Sequence, residues 1–320
     1  FTSAEGMYMQ TVSGRKILDF TGGIGVLSHG HNNHQILSAR KSFQEKREME
    51  VHKQVFSPYM AALSHNVAKL LPGKLNKCFF PNSGAEAVEG AVKLAYRYHK
   101  GKRSVILHSA ISFHGNLIGS GSISGASGYK DQFPVLSNVV EYKYNNTVSV
   151  SNIISNLRDA NGISNVYALI VEPFHASSLA SCSETHLTEL RALCAKEDIV
   201  LIFDEIYTGW GKTGELFNFF RVQGLVPDIV TMSKSFGGGK SSISCYVTSD
   251  RVFEAAYGNA NDALLHTSTY NGFGEECITA IEAINIIIDE DFVGKAKTIG
   301  ASLQNGLTRI KEKYPRDIIE

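Results

Sequence analysis

Two acidic residues and a lysine follow apolar runs in the second half of the chain, and their types suit covalent catalysis. Asp204 and Glu205 come directly after residues 199–203, and Lys234 follows residues 229–232, between two serines. A lysine among apolar or cationic groups loses its proton readily and attacks carbonyl carbon. A carboxylate at the end of a buried strand lies where open α/β sheets bind ligands. Either residue alone is more often a solvated surface group.

A turn and a loop earlier in the chain have the residue types that hold an anion and a flat ring. Residues 80–89 read FPNSGAEAVE, in which a strand, a turn at Asn82, Ser83 and Gly84, and a helix start follow one another. The first N–H groups of a helix lack partners and bind phosphate. Plain capping by Ser83 or Asn82, with Glu86 completing a capping box, is the alternative, and both interpretations can hold together. Residues 112–115 read SFHG, whose aromatic could cover a ring, although lone aromatics usually belong to the core.

These four features together match the needs of one cofactor, pyridoxal 5′-phosphate. Its aldehyde requires a lysine, its ring nitrogen requires an acidic partner, and its phosphate requires an anion site. An aromatic side chain can cover the ring. The residues therefore predict a pyridoxal phosphate site formed by distant parts of the chain.

Short apolar runs alternate with helical patterns through the middle of the chain, and these elements must position the site. Helices are predicted over residues 84–99 and 183–198. The predicted strands cover residues 77–80, 104–107, 166–171, 199–203, 229–232 and 243–247. Continuous apolar strands separated by helices indicate an α/β fold, with a mainly parallel sheet covered by helices on both faces.

The two ends of the chain have a different pattern. Residues 8–19 predict a hairpin that turns at Ser13 and Gly14, and helices are predicted from Glu275 onward and over residues 293–313. We therefore expect a large cofactor-binding domain over residues 51–270. A smaller α+β domain would combine residues 1–50 with residues 271–320.

Composition excludes several classes of protein. The chain has 320 residues, and its 31 Lys and Arg balance its 31 Asp and Glu. A neutral chain lacks the positive surface that binds nucleic acid, so no nucleic-acid partner is expected. No run approaches the roughly 20 apolar residues that span a bilayer, so no membrane partner is expected either.

The cysteines and the first residue bear on the setting of the protein. The chain begins at Phe1 and shows no signal-peptide pattern, so we expect a part of a longer protein. The cysteines are odd in number, form no CxxC pair, and stand at Cys78, Cys182, Cys194, Cys245 and Cys277. Such a scattered set argues against a disulfide framework or a metal site and favours the reducing cytoplasm.

Several motifs, in order, resemble the class III aminotransferases, the ω-amino-acid and ornithine type of the aspartate aminotransferase fold (fold type I). The matching segments are PNSGAEAVEGAVKLA (81–95), SFHG (112–115), VEP (171–173), FDEIYTGWGKTG (203–214), SKSFGGG (233–239) and HTSTYNG (266–272). Any one of them would be weak, whereas the ordered series is specific. The resemblance implies a pyridoxal phosphate enzyme that moves an amino group from an amine or amino acid to an aldehyde or keto acceptor by a ping-pong mechanism.

The resemblance also assigns the two catalytic roles. Lys234 matches the lysine that binds the cofactor covalently and shuttles a proton, and Asp204 matches the partner of the ring nitrogen. Thr269 matches a threonine that reaches the phosphate of a neighbouring subunit, so a homodimer with shared active sites is implied. The alternative for Thr269 is a cap on the helix that begins near Gly274.

The remaining cofactor contacts follow from the same resemblance. The phosphate turn is Ser83, Gly84 and Ala85. Phe113 and Ile206 match the residues on the two faces of the ring, and His114 and Glu172 lie in the adjoining motifs.

The resemblance leaves rival functions open. Tyr207 stands where the family often has glutamine, and the small domain is expected to be incomplete at residue 320. Tyr207, Phe113 and Trp210 suggest an apolar entrance and therefore an aldehyde or long-chain acceptor. An aminomutase on the same scaffold and a non-catalytic cofactor-binding domain are the alternatives.

Overall fold

The structure is a computed structural model and describes residues 1–50, 55–125, 130 and 132–318. Its strands are β1 (Ser3–Glu5), β2 (Tyr8–Gln10), β3 (Lys16–Leu18), β4 (Leu75–Phe79), β5 (Val105–Ser109), β6 (Val139–Tyr142), β7 (Val166–Val171), β8 (Phe174–His175), β9 (Ala180–Ser181), β10 (Val200–Asp204), β11 (Ile229–Met232) and β12 (Cys245–Ser249). Its helices are α1 (His34–Glu45), α2 (Pro58–Leu70), α3 (Gly84–Tyr98), α4 (Ile118–Ser122), α5 (Thr147–Asn156), α6 (Glu184–Glu197), α7 (Asp250–Tyr257), α8 (Gly274–Asp289) and α9 (Phe292–Lys313).

A seven-stranded sheet forms the centre of the molecule. Its strand order is β4-β12-β11-β10-β7-β5-β6. Strands β11, β10, β7, β5 and β6 pair in parallel, whereas β12 runs antiparallel to both of its neighbours. The predicted mainly parallel α/β sheet is confirmed. Because parallel strands end at the same edge, the segments that follow β10 and β11 emerge side by side.

Alternate residues of the central strands enter two cores, one on each face of the sheet. In β10, Leu201 and Phe203 join the core that includes α2, α6 and α8, whereas Val200 and Ile202 join the core that includes α3 and α7. Side chains of a strand point alternately to the two faces of the sheet. A strand that is buried on both faces therefore needs a continuous apolar run.

The N-terminal segment forms the predicted hairpin. Strands β2 and β3 pair antiparallel, and β1 adds to β2. Helix α1 packs on α8 through Ile36, Ala283 and Ile286. Cys277 and Ala280 of helix α8 pack in the core that also includes α2 and α6. The division at residues 50 and 270 remains a prediction, and its first boundary adjoins residues 51–54, which lie outside the described residues.

The last two helices match their predicted positions within one residue at each predicted end. Helix α9 leaves Ile299, Leu303, Leu307 and Ile310 substantially exposed. Across the described residues, no helix has both the length and the apolar character needed to cross a membrane.

Candidate active site

A cavity of about 700 Å³ opens where β10 and β11 end and α3 begins. Eight of the ten predicted site residues line it: Gly84, Ala85, Phe113, His114, Glu172, Asp204, Ile206 and Lys234. Ser83 lies next to these residues in the chain, and Thr269 does not line the cavity of its own chain. The topology therefore brings predicted site residues that are up to 150 positions apart in sequence, from Gly84 to Lys234, to one place.

Lys234 begins a short 3₁₀ turn directly after β11. Its backbone has a φ of 49°, which is uncommon for a residue other than glycine. Its Nζ lies 4.1 Å from the centre of the Tyr207 ring. Burial lowers the pKa of Lys234, and the nearby charges of Asp204 and Glu172 oppose that shift. A lowered pKa favours the neutral amine, which is the nucleophilic form.

Asp204 is the last residue of β10 and is 3% exposed. Its Oδ2 accepts a 2.6 Å hydrogen bond from His114 Nδ1. Its Oδ1 accepts from the Ile206 N–H at 3.0 Å and from the Thr231 hydroxyl at 3.2 Å. A carboxylate has about four acceptor positions, so these three bonds fix its orientation and leave room for one more donor. A protonated ring nitrogen in the cavity is such a donor.

Glu205 has a different environment, although it is the next residue. It is fully buried and accepts hydrogen bonds from the N–H groups of Asn218 and Phe219 and from the Thr208 hydroxyl. Burial raises the pKa of Glu205 to about 7. Glu205 therefore orders the loop after β10, and Asp204 is the acid that faces the cavity.

The N-terminus of α3 combines a cap with free N–H groups. The Ser83 hydroxyl accepts from the Glu86 N–H, and Glu86 Oε2 accepts from the Asn82 N–H and from the Ser83 hydroxyl. The predicted capping is confirmed. Within the described residues, the N–H groups of Gly84 and Ala85 have no acceptor, and both residues line the cavity. Two free N–H groups at the positive end of a helix suit a phosphate.

The loop with Phe113 forms another wall of the cavity. The Phe113 N–H donates to Glu172 Oε2 at 2.8 Å, so Glu172 holds this loop at the cavity. Burial raises the pKa of Glu172 well above its ordinary value, and the charge of Asp204 adds to that shift. Gly115 has a φ of 124°, and a Cβ there would lie 2.6 Å from the Ala85 Cβ. The loop therefore packs directly on the start of α3.

Two interpretations from the sequence are wrong. Thr269 does not cap α8, because Glu50 accepts from the N–H groups of Gly274 and Glu275 at 3.0 and 2.9 Å. Trp210 does not line the entrance. It is 1% exposed, and its ring stacks on Phe236 with centroids 5.1 Å apart.

Some cavity residues were not predicted as site residues. Ile24 from the N-terminal segment and the Ala176–Ser177 turn line the cavity, and Tyr207 lines it as the expected apolar entrance requires. Ile24 has a φ of 62° within a left-handed turn that includes Gly22, Gly23 and Gly25. The run of glycines in the sequence is the one feature that could have indicated a left-handed turn close to a ligand site.

These features fit pyridoxal phosphate. The cavity offers an amine with a lowered pKa, a buried carboxylate with a spare acceptor position, and two free N–H groups at a helix start. Phe113 and Ile206 add apolar walls for the ring.

Comparison with known proteins gives the same family. The model of the aminotransferase class III family matches residues 1–320. The aminotransferase PigE of Serratia sp. is 31% identical over 318 residues, which is 98% of this chain but only 36% of that relative. A thermostable (S)-enantioselective ω-transaminase from Thermomicrobium roseum is 26% identical with a TM-score of 0.89, over 97% of this chain and 73% of that one.

A second solved structure supports the same fold assignment. A transaminase from the marine bacterium Virgibacillus is 25% identical with a TM-score of 0.90, over 98% of this chain and 72% of that one. The expected fold type I architecture is thereby confirmed. The chain belongs to the class III aminotransferases, a family that depends on pyridoxal 5′-phosphate.

Proposed function

We propose that this chain carries an aminotransferase active site that moves an amino group from an amine or amino acid to an aldehyde or keto acid. The observation that carries the proposal is the convergence of Lys234, Asp204 and the free N–H groups of α3 on one cavity. When bound, pyridoxal phosphate supplies an electron sink that lets the proton beside the substrate amine leave.

Lys234 is proposed to bind the cofactor and to carry the proton. Burial favours its neutral amine, which can attack a carbonyl carbon and can also accept a proton. Nζ makes no hydrogen bond or ion pair to the described residues, so the amine is available to a ligand in the cavity.

Asp204 is proposed to keep the ring nitrogen of the cofactor protonated. The hydrogen bonds from His114 and Thr231 orient its carboxylate before any ligand arrives. A preorganised charge stabilises a developing charge without reorganisation at the moment of reaction. Gly84 and Ala85 would hold the phosphate, and Phe113 and Ile206 would hold the two faces of the ring.

We further propose a homodimer with shared sites. Thr269 lies in an exposed turn, outside the cavity of its own chain, and does not cap α8. Its neighbours Leu264 and Tyr270 are 83% and 57% exposed, as in a surface that another subunit covers. Thr269 of one subunit would then reach the phosphate in the other.

The acceptor and the cellular setting are also proposals. Ile24, Phe113 and Tyr207 make part of the cavity wall apolar, which favours an aldehyde or long-chain acceptor in a biosynthetic reaction. The five cysteines are free thiols, as expected in the reducing cytoplasm. The chain covers about a third of the length of the curated relative PigE.

Absorbance and product analysis test the proposed reaction. Purified protein loaded with pyridoxal phosphate should lose its cofactor absorbance band when an amino donor is added, and should regain it with a carbonyl acceptor. Lys234→Ala should abolish turnover and leave the fold intact. Lys240→Ala, on the exposed side of the same loop, should retain turnover. A band that no donor changes would mean cofactor binding only, and a rearranged donor without a second substrate would mean an aminomutase.

A further inference from the structure

The Tyr207 ring lies directly beside the amine of Lys234. Nζ is 4.1 Å from the ring centre, well inside the range in which an ammonium group is attracted to an aromatic face. Among the described residues, this ring is the one group in direct contact range that favours the charged amine. The carboxylates of Asp204 and Glu172 act on Lys234 only through their charge.

The N-terminal segment fixes the position of that ring. Gly25 packs so closely on Tyr207 that a Cβ at position 25 would lie 2.8 Å from Cε2. The same segment is tied to the turn that holds Lys234, since the Ser235 hydroxyl donates to the Gly25 carbonyl at 3.3 Å and lies 2.6 Å from the Ser28 hydroxyl. Ring, glycine turn and lysine turn therefore form one packed unit.

We propose that Tyr207 is a positioning residue for Lys234: its ring face binds the ε-ammonium group in the cofactor-free chain and whenever the free amine has taken up a proton. The ring would hold the protonated amine at the cavity wall until the proton is passed on. This inference rests on the proposed function, because it assumes that Lys234 is the cofactor-binding lysine.

The ring acts on Lys234 together with other groups that face it. Burial favours the neutral amine, while the carboxylates of Asp204 and Glu172 favour the charged form. The ammonium group of Lys212 and that of Lys234 also repel each other. A test must therefore change the electron density of the ring without changing its volume or these charges.

A fluorination series at position 207 meets that requirement. Tyr207→Phe is the reference, and one, two or three ring fluorines are then introduced by nonsense suppression. Fluorines withdraw electron density from the ring face and barely change its size. The readout is the pH midpoint of Lys234 acetylation in the cofactor-free full chain, measured by peptide mass spectrometry, with exposed Lys143 as the internal reference.

We expect the Lys234 midpoint to fall stepwise with each fluorine, by about half a pH unit over the series, because a cation–π contact is worth roughly 0.5–1 kcal/mol or more. The Lys143 midpoint should stay constant. A flat or rising Lys234 series would overturn the proposal. If one member fails to fold, the remaining members still define the slope.

A separate measurement isolates the underlying assumption. Borohydride reduction of the cofactor-loaded protein should leave the pyridoxyl group on Lys234. Labelling of a different lysine would overturn the proposed function itself. Labelling of Lys234 with a flat fluorination series would overturn the role of Tyr207 alone.

Discussion

Asp204 and Glu205 are adjacent at the end of β10, and only Asp204 faces the cavity. The sequence predicted an acidic site here without separating the two side chains by geometry. The alternation of a strand contains that information, since Asp204 continues the face of Val200 and Ile202, whereas Glu205 continues the face of Leu201 and Phe203. The contact between His114 and Asp204 was not predictable, because it joins residues 90 positions apart.

Replacing Asp204 by asparagine should slow the chemistry more than it weakens cofactor binding. The amide keeps the shape but loses the charge that holds the ring nitrogen protonated. Loss of one preorganised electrostatic partner costs on the order of 100- to 1000-fold in rate. Stopped-flow absorbance of the first half-reaction measures this effect. A slowing of less than tenfold with cofactor fully bound would contradict the role of Asp204.

Glu205 should make stability depend on pH. Its pKa is about 7 in the folded chain and near 4.5 as a free side chain. Between these values the folded chain holds one more proton than the unfolded chain, so stability falls as pH rises through this window and is constant above it. Glutamine does not titrate. The unfolding free energy of the native protein relative to Glu205→Gln should therefore fall by roughly 2–3 kcal/mol between pH 5 and pH 8.

Denaturant unfolding of both proteins at several pH values measures that difference. Glu312→Gln, on the exposed end of α9, is the matched control and should show no such trend. If the difference in unfolding free energy between the native protein and Glu205→Gln is the same at every pH, burial does not raise the pKa of Glu205.

The start of α3 and the loop over residues 112–115 form the two elements around the proposed phosphate and ring sites. Their contact depends on Gly115, where a Cβ would lie 2.6 Å from the Ala85 Cβ and 3.0 Å from its Cα. Because Cα is backbone, Gly115→Ala must push the loop away from the helix. We expect the dissociation constant of the cofactor to rise at least tenfold, or about 1.4 kcal/mol, measured by fluorescence titration.

Gly162→Ala is the matched control for that substitution. Gly162 also has a positive φ, 77°, but nothing lies within 4 Å of its Cβ position. Gly162→Ala should lose about 1–2 kcal/mol of stability through backbone strain, as Gly115→Ala should. Its affinity for the cofactor should be unchanged. Equal affinities for both variants would mean that the loop and the helix need not touch.

Elements with a strong local pattern were predicted well. The boundaries of α6 and β10 were correct within one residue, because continuous apolar runs and a serine cap mark them. The left-handed turn at Gly22–Gly25 was not predicted, since glycine permits this backbone without specifying it. Its place at the cavity, beside Tyr207, depends on packing between distant segments that no local pattern records.

At the scale of the whole molecule, the proposed site of a single chain lacks Thr269. The family resemblance supplied this residue, and no periodicity of the chain pointed to it. The structure places Thr269 in an exposed turn and shows that Glu50, not Thr269, caps α8. A threonine hydroxyl and its N–H are good phosphate donors, so its natural partner would be the cofactor of a second chain.

Mixing inactive variants tests this shared site directly. The Lys234→Ala and Thr269→Ala variants should each lose most activity alone. After subunit exchange between equal amounts of the two, half of the dimers are mixed. One of the two sites in each mixed dimer keeps both residues, so about a quarter of all sites should be active. The matched control mixes Lys234→Ala with Asp204→Asn. Both of these residues line the cavity of the same chain, so this pair should restore nothing.

Exchange is verified by mass spectrometry of differently tagged subunits. If exchange is complete and the first pair also recovers nothing, Thr269 must act within its own chain. If both pairs recover equally, the sites are not divided between subunits in the way that these residues imply.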